Sequence, residues 1–287
     1  MPPPIDFESS SAVAEFVRTR FAVLHPRASD ALLTRLFVDV DAMFSGRHPA
    51  YERNTLKYHN FEHTLRASAC MAEILEGHGS VEDGIRLEAR DFELAIAAVL
   101  LHDAGYLKLK SDIAGTGAKY TFCHILRSCA FAASYLPEVG ANDAEIDGVL
   151  TAINCTGPNS EINRLRFRNG AGRLVGSALA TADYLGQLSD PGYPEKLGEL
   201  FRELKESDDF SNVPPERRMF KSLNDLVCGT PAFWTQVVRP RLDGDFQGLY
   251  RLLARPVPAG RNAYLEAIEA NLARISRWVD GLRAADG

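Results

Sequence analysis

The chain has 287 residues, of which 46% are hydrophobic and 24% are charged, a composition typical of an ordinary globular protein. Its 32 Lys and Arg residues against 38 Asp and Glu residues give a formal net charge of −6. Composition and charge therefore exclude a collagen-like repeat and a disordered tail, and they provide no basic surface for a nucleic-acid polymer.

No apolar run reaches the roughly 18 residues that a membrane-spanning helix needs, so we expect no membrane partner. The first residues, MPPPIDFESSS, lack the basic start and apolar stretch of a secretory signal. The five cysteines are an odd number, and none forms a CxxC pair. These features predict reduced thiols and a cytoplasmic location.

Apolar residues recur at helical spacing along nearly the whole chain, which predicts an all-α protein. Helices are predicted after Ser11, Ser29, Asn60, Asp91, Thr121 and Asn142, over 174–188 and over 261–282. The segment FELAIAAVLLHD, after Asp91, is apolar all round and should be buried on every side. Long loops are predicted at 104–120 and 157–172.

We interpret the chain as a single-domain helical bundle in three stretches. Residues 1–54 form N-terminal helices that pack on the core, 55–190 form the core, and 191–287 form a C-terminal helical part of the same domain. The last helix carries an apolar stripe, which either packs on the bundle or joins two copies in a homodimer.

Metal-ligand side chains stand on or beside the apolar helices at four places in the chain. Asp103 and Asp183 both lie in apolar surroundings, where a carboxylate is costly to bury unless it is paired or bound to a cation. Two imidazoles and two carboxylates that converge can bind a divalent metal and leave positions open for water and substrate. The candidates in chain order are His59 and His63, His102 and Asp103, His124, and Asp183.

Each candidate has a simpler structural explanation when it is taken alone. A His-Asp pair at a helix end can be a cap with a surface charge, and Asp183 can pair with Arg168 or Arg173. His59 and His63 can be polar groups at a helix start. The ordered occurrence of all these residues beside predicted buried helices favours a metal site.

The segments YHNFEH, LLHDAGY and TADYL, in that order within residues 55–190, resemble the HD-domain metal-dependent phosphohydrolase superfamily. YHNFEH is similar to the YHNxxH segment of the class I cyclic nucleotide phosphodiesterases. The resemblance implies an all-helical bundle around a metal centre. It also implies that His59 is the general acid that protonates the leaving oxygen, and that Asp103 bridges two metals where two are present. The implied metal ligands are His63, His102, Asp103 and Asp183.

The chain departs from the phosphodiesterase pattern at two places, so a cyclic nucleotide substrate is not implied. The run HDAGYLKLK lacks the further His that follows HD in those enzymes, and their nucleobase-binding Gln has no assigned position here. His124 resembles a helix His of binuclear HD proteins, which makes it a candidate second-metal or substrate ligand. The alternative is a His that bonds nearby backbone. Where those proteins carry a later His, this chain has AINCTGP, with Cys155.

Basic side chains precede the Asp183 helix and suit an anionic substrate. Arginine forks bind phosphate oxygens in pairs, so the cluster is a candidate phosphate site; the alternative is a solvated charged loop. Tyr58 is a further candidate for the cleft. The predicted substrate-binding arginines are Arg164, Arg166 and Arg168.

These features together predict a metal-dependent phosphohydrolase or phosphodiesterase. Its substrate would be a phosphoester or phosphoanhydride of a small nucleotide-like molecule, attacked by a water that the metal activates. The cofactor would be a divalent ion, with Mn, Mg, Zn, Ni and Fe all compatible with the ligand set. Two alternatives remain: a di-iron HD-type oxygenase, which needs more His ligands, and a non-catalytic module that senses a nucleotide.

Overall fold

The computed structural model describes residues 5–81, 85–157 and 159–285. Within these ranges the regular secondary structure is helical and no β-strand forms, which confirms the all-α prediction. None of the helices in these ranges combines the length and the hydropathy that crossing a bilayer requires. The α-helices are α1 (Ser10–Leu24), α2 (Ala31–Phe44), α3 (Phe61–Gly79), α4 (Ala89–Leu101), α5 (His124–Tyr135), α6 (Asp143–Ile153), α7 (Gly170–Leu188), α8 (Tyr193–Phe210), α9 (Leu223–Phe233), α10 (Arg239–Asp243) and α11 (Ala263–Ala285).

Side-chain caps explain several helix starts. The Asn60 side chain accepts a hydrogen bond from the His63 amide at 3.0 Å, so α3 begins where the sequence predicted. Asn142 and Glu145 form the predicted capping box of α6. Helix α4 starts two residues before the predicted Asp91, because Glu88 is the capping residue and Asp91 closes the box from within the first turn.

The predicted loop at 104–120 is more ordered than expected. It contains two short 3₁₀ helices, Ala104–Tyr106 and Gly117–Tyr120. Asp112 fixes the loop by accepting hydrogen bonds from the Lys119 ammonium at 2.5 Å and from the Tyr120 hydroxyl. Helix α5 consequently starts at His124 and not at Thr121, whose hydroxyl donates instead to the Ala118 carbonyl.

The core forms around α3, α4 and α7. Helix α4 is buried as predicted, since residues 95–101 are each no more than 1% exposed. Helices α1 and α2 cover one side of this core, and α5 and α6 pack against α4. Helix α11 lies on α7, α8 and α9 and buries Ile268, Ile275 and Val279 of its stripe, so these residues pack on the bundle.

Candidate metal centre

A buried group of three side chains joins α3 to the end of α4. His63 lies in the first turn of α3, and His102 and Asp103 directly follow α4. One ligand atom from each residue lies within 4.8 Å of the others. The Oδ2 atom of Asp103 is 3.4 Å from His63 Nε2 and 3.5 Å from His102 Nε2. Two imidazoles and a carboxylate at this spacing can hold a metal ion.

Helix α7 brings Asp183 to the same point. Its Oδ1 atom lies 3.1 Å from His63 Nε2 and 3.5 Å from His102 Nε2. The sequence analysis offered Arg173 as an alternative partner for Asp183, but the Arg173 guanidinium donates to the Asn163 side chain at 2.6 Å. The two predicted imidazoles and two predicted carboxylates therefore converge from three helices.

The ring of His102 is oriented for metal binding. Its Nδ1 atom lies 2.7 Å from the Val99 carbonyl and donates to it, which leaves Nε2 as the ring nitrogen directed at the carboxylates. Neither His102 Nε2 nor Asp103 Oδ2 has a hydrogen-bond partner among the described residues. Buried polar atoms without partners are costly, and a divalent cation bound to the neutral imidazole and the carboxylate would satisfy both. The residues present therefore fit a metal.

The electrostatics of the cluster also favour a cation. Burial opposes a charged His102 imidazole, but Asp103 and Asp183 outweigh that effect and raise the pKa of His102 to about 9. Burial likewise opposes ionisation of Asp183, yet the imidazoles of His102 and His63 beside its Oδ1 atom hold the pKa of that carboxyl well below its ordinary value. Both carboxylates thus stay ionised, and the buried site attracts positive charge.

His59 is held by a carboxylate that the sequence analysis missed. The His59 Nδ1 atom lies 2.7 Å from Glu203 Oε2, and the other oxygen of Glu203 accepts the Tyr58 amide at 2.8 Å. Burial tends to lower the pKa of His59, but the hydrogen bond and charge of Glu203 raise it above the ordinary value. Glu203 is buried on α8, which also carries Leu197 and Leu200. No local sequence pattern marked it, because its burial follows from how α8 packs.

His124 approaches Asp103 from another direction. Its Nδ1 atom donates to the Thr121 carbonyl at 2.7 Å, and its Nε2 atom lies 3.9 Å from Asp103 Oδ1. Tyr106 stacks between His59 and His124, with ring centroids 4.5 Å and 4.7 Å away. His124 therefore bonds backbone, as one prediction held, and also faces the carboxylate oxygen that is directed away from His63 and His102.

Tyr58 and Gln187 support Asp183. The Tyr58 hydroxyl donates to Gln187 Oε1 at 2.5 Å. The Gln187 amide nitrogen lies 3.2 Å from the backbone carbonyl of Asp183 and 3.4 Å from its Oδ1 atom. Both ends of the Gln187 amide are therefore engaged within the protein.

A cavity of about 260 Å³ opens above the metal-ligand group. One part of the lining, which we call the floor, consists of polar side chains from the candidate centre. Another part, which we call the apolar wall, consists of aliphatic and aromatic side chains. The floor is His59, His63, Asp103, His124 and Asp183; the apolar wall is Leu200, Leu204, Met219, Phe220, Leu226 and Phe233; Tyr58 lines the cavity between them.

The structure does not bring Arg164, Arg166 and Arg168 to this cavity. All three are exposed, and none is among the cavity-lining residues. The side chains alternate along this segment: Leu165 and Phe167 turn towards the core and the arginines turn outwards. Arg164 pairs with Glu161 at 2.5 Å.

The resemblance to the HD-domain superfamily rests on the short motifs described above, because the comparisons with known proteins found no match. No protein-family model matches the chain, and no curated protein is significantly similar to it in sequence.

Proposed function

We propose that the protein is a metal-dependent phosphohydrolase of the HD-domain type, which cleaves a phosphoester or phosphoanhydride bond of a small molecule. The observation that carries this proposal is the convergence of His63, His102, Asp103 and Asp183 at the floor of a cavity that also holds His59. A metal centre and a separate proton donor at one cavity are the parts that phosphoester hydrolysis requires.

The four converging side chains would hold the first divalent ion. When bound, such an ion lowers the pKa of water and neutralises phosphoryl charge. Asp103 Oδ1 and His124 Nε2 lie 3.9 Å apart and would supply ligands to a second ion. The mixed nitrogen and oxygen set is compatible with Mn²⁺, Mg²⁺, Zn²⁺, Ni²⁺ and Fe²⁺.

His59 would protonate the leaving oxygen. Its Nδ1 atom is engaged by Glu203, so Nε2 is the nitrogen that remains to exchange a proton with a ligand in the cavity. Glu203 raises the pKa of His59. The imidazole therefore keeps its proton to a higher pH than a buried His without such a partner.

Hydrolysis is favoured over the di-iron oxygenase alternative because Cys155 adds no ligand. Its Sγ atom is buried and donates to the Thr151 carbonyl at 3.3 Å. Burial raises the pKa of this thiol to about 12, so it stays protonated near neutral pH.

The test combines elemental analysis with a hydrolysis screen. The purified protein, reloaded with whichever divalent ion it carries, would be assayed on a panel of phosphoesters and phosphoanhydrides. We expect Asp103→Ala to lose activity by at least about 1,000-fold while its circular dichroism is retained. Asp147→Ala, which removes an exposed carboxylate on α6, is the matched control. Absence of any turnover in the metal-loaded protein, or unchanged turnover in Asp103→Ala, would contradict the proposal.

A further inference from the structure

The cavity above the floor has an apolar wall built by α8, α9 and the segment between them. Leu200 and Leu204 come from α8, Leu226 and Phe233 come from α9, and Met219 and Phe220 come from the connecting segment. A wall of this kind contributes to binding by removing apolar ligand surface from water. It offers little to a sugar or a second phosphate.

Lysine and arginine side chains do not occur in the described lining of this cavity. Two arginines form hydrogen bonds with segments next to the lining. Arg127 donates to the carbonyls of Gly105 and Leu107. Arg241 donates to the Gly157 and Ser160 carbonyls and to the Tyr184 hydroxyl. A ligand with several negative charges would therefore find neutralisation only at the metal and at the protonated His59 beside it, both at the floor.

The size of the cavity limits the organic group. A cavity of about 150 Å³ accommodates benzene. The volume here is about 260 Å³, part of which lies at the floor and would receive the phosphate. The rest suits a single aromatic ring or a branched aliphatic group.

From these observations we infer that the substrate is a phosphoester with one phosphoryl group and a small apolar organic group, rather than a polyanionic nucleotide. The binding of the phosphoryl group rests on the proposed function, and the binding of the organic group rests on the residues of the apolar wall. It assigns Leu204, Phe220 and Leu226 to the recognition of that organic group.

Gly229 allows the wall to be tested with little risk to folding. It lies in α9 and lines the cavity, and a Cβ atom there would meet only Phe220 Cε1, at an ordinary contact distance of 3.8 Å. A larger side chain at this position would fill the apolar end. Gly148 in α6 is a matched control, because it too lies within a helix. It is exposed and outside the cavity lining, and a Cβ there would meet nothing within 4 Å.

The decisive experiment measures binding by calorimetry with the metal-loaded protein. Benzylphosphonate and methylphosphonate share the same charged group and differ in the apolar part. We expect wild-type protein and Gly148→Leu to bind benzylphosphonate at least about tenfold more tightly. Gly229→Leu should lose most of this difference. Equal affinity for the two phosphonates in wild-type protein, or tighter binding of inorganic pyrophosphate than of benzylphosphonate, would overturn the inference.

Hydrolysis of benzyl phosphate and glycerol phosphate, both with primary alkoxide leaving groups, separates the inference from the proposed function. If both esters are cleaved with equal kcat/KM and both phosphonates bind equally, the proposed function stands and the inference fails. If neither ester is cleaved but benzylphosphonate binds preferentially and Gly229→Leu removes the preference, the proposed function fails and the assignment of the wall stands.

Discussion

The floor and the apolar wall of the cavity differ in chemistry and in the helices that carry them. The floor comes mainly from α3, α7 and the residues around α4 and α5, which form the core or lie against it. The ligand atoms of His63, His102 and Asp103 there lie within 4.8 Å of one another. The wall comes from α8, α9 and their connection, where Met219 is 75% exposed. Under the proposed function, the reacting groups and the surface for the organic group lie mainly on different elements, with Glu203 of α8 as the link to His59. Substitutions at the floor should therefore affect different measurements from substitutions at the wall.

The largest effect within this comparison is expected for His59→Asn, at the floor. Loss of the proton donor should lower kcat/KM by about 10² to 10⁴ while the metal content stays unchanged. The loss should be smaller for 4-nitrophenyl esters, because that leaving group departs without a proton. His48→Asn, outside the cavity lining, is the control. A uniform loss across leaving groups would show that His59 is not the acid.

A smaller effect is expected for Glu203→Gln, which tests whether Glu203 sets the pKa of His59. The charge of Glu203 raises the pKa of His59, so its removal should lower that pKa. An acid acts only while protonated, and activity falls as pH rises through its pKa. The alkaline limb of the kcat profile should therefore move to lower pH, with a loss of about 10- to 100-fold at pH 8 and less at pH 6. An unmoved alkaline limb would separate Glu203 from the proton donor.

The metal-ligand residues could be predicted from the sequence, whereas Glu203, which holds His59, and the apolar wall could not. His63, His102, Asp103 and Asp183 belong to short motifs on strongly apolar helices, so both their chemistry and their burial could be predicted locally. Glu203 lies in a helix rich in surface acids, and its role depends on α8 packing across residues 57–59, which no local pattern encodes.

Helix bounds were predictable where a side chain caps the first turn and less so elsewhere. Asn60 and Asn142 mark their helices correctly, because an Asn that caps a first turn is a local signal. The outward direction of Arg166 and its neighbours follows from Leu165 and Phe167 turning towards the core, a tertiary effect that the composition of the segment does not encode.

Tyr58→Phe removes the hydroxyl that holds Gln187 against Asp183. The loss of one buried hydrogen bond should weaken metal affinity by roughly 2- to 10-fold, with a similar change in activity at limiting metal. Saturating metal should restore the activity. A loss that persists at saturating metal would place the Tyr58 hydroxyl in contact with substrate instead.

The smallest effect is expected for the exposed arginines. Replacing Arg164, Arg166 and Arg168 together by Ala should change kcat/KM by less than about twofold, because exposed charges outside the cavity lining contribute little. A tenfold loss on a phosphoester with one phosphoryl group would place phosphate recognition on this segment and contradict the division between floor and wall.

The central claim is that four side chains from distant parts of the chain hold one cation. Equilibrium dialysis against Mn²⁺, with wild-type protein, Asp183→Ala and the exposed control Asp147→Ala, tests it most directly. We predict at least one tightly bound ion per chain for wild-type protein and the control, and at least roughly tenfold weaker binding for Asp183→Ala. Wild-type protein without a bound ion, or Asp183→Ala with undiminished affinity, would contradict the account.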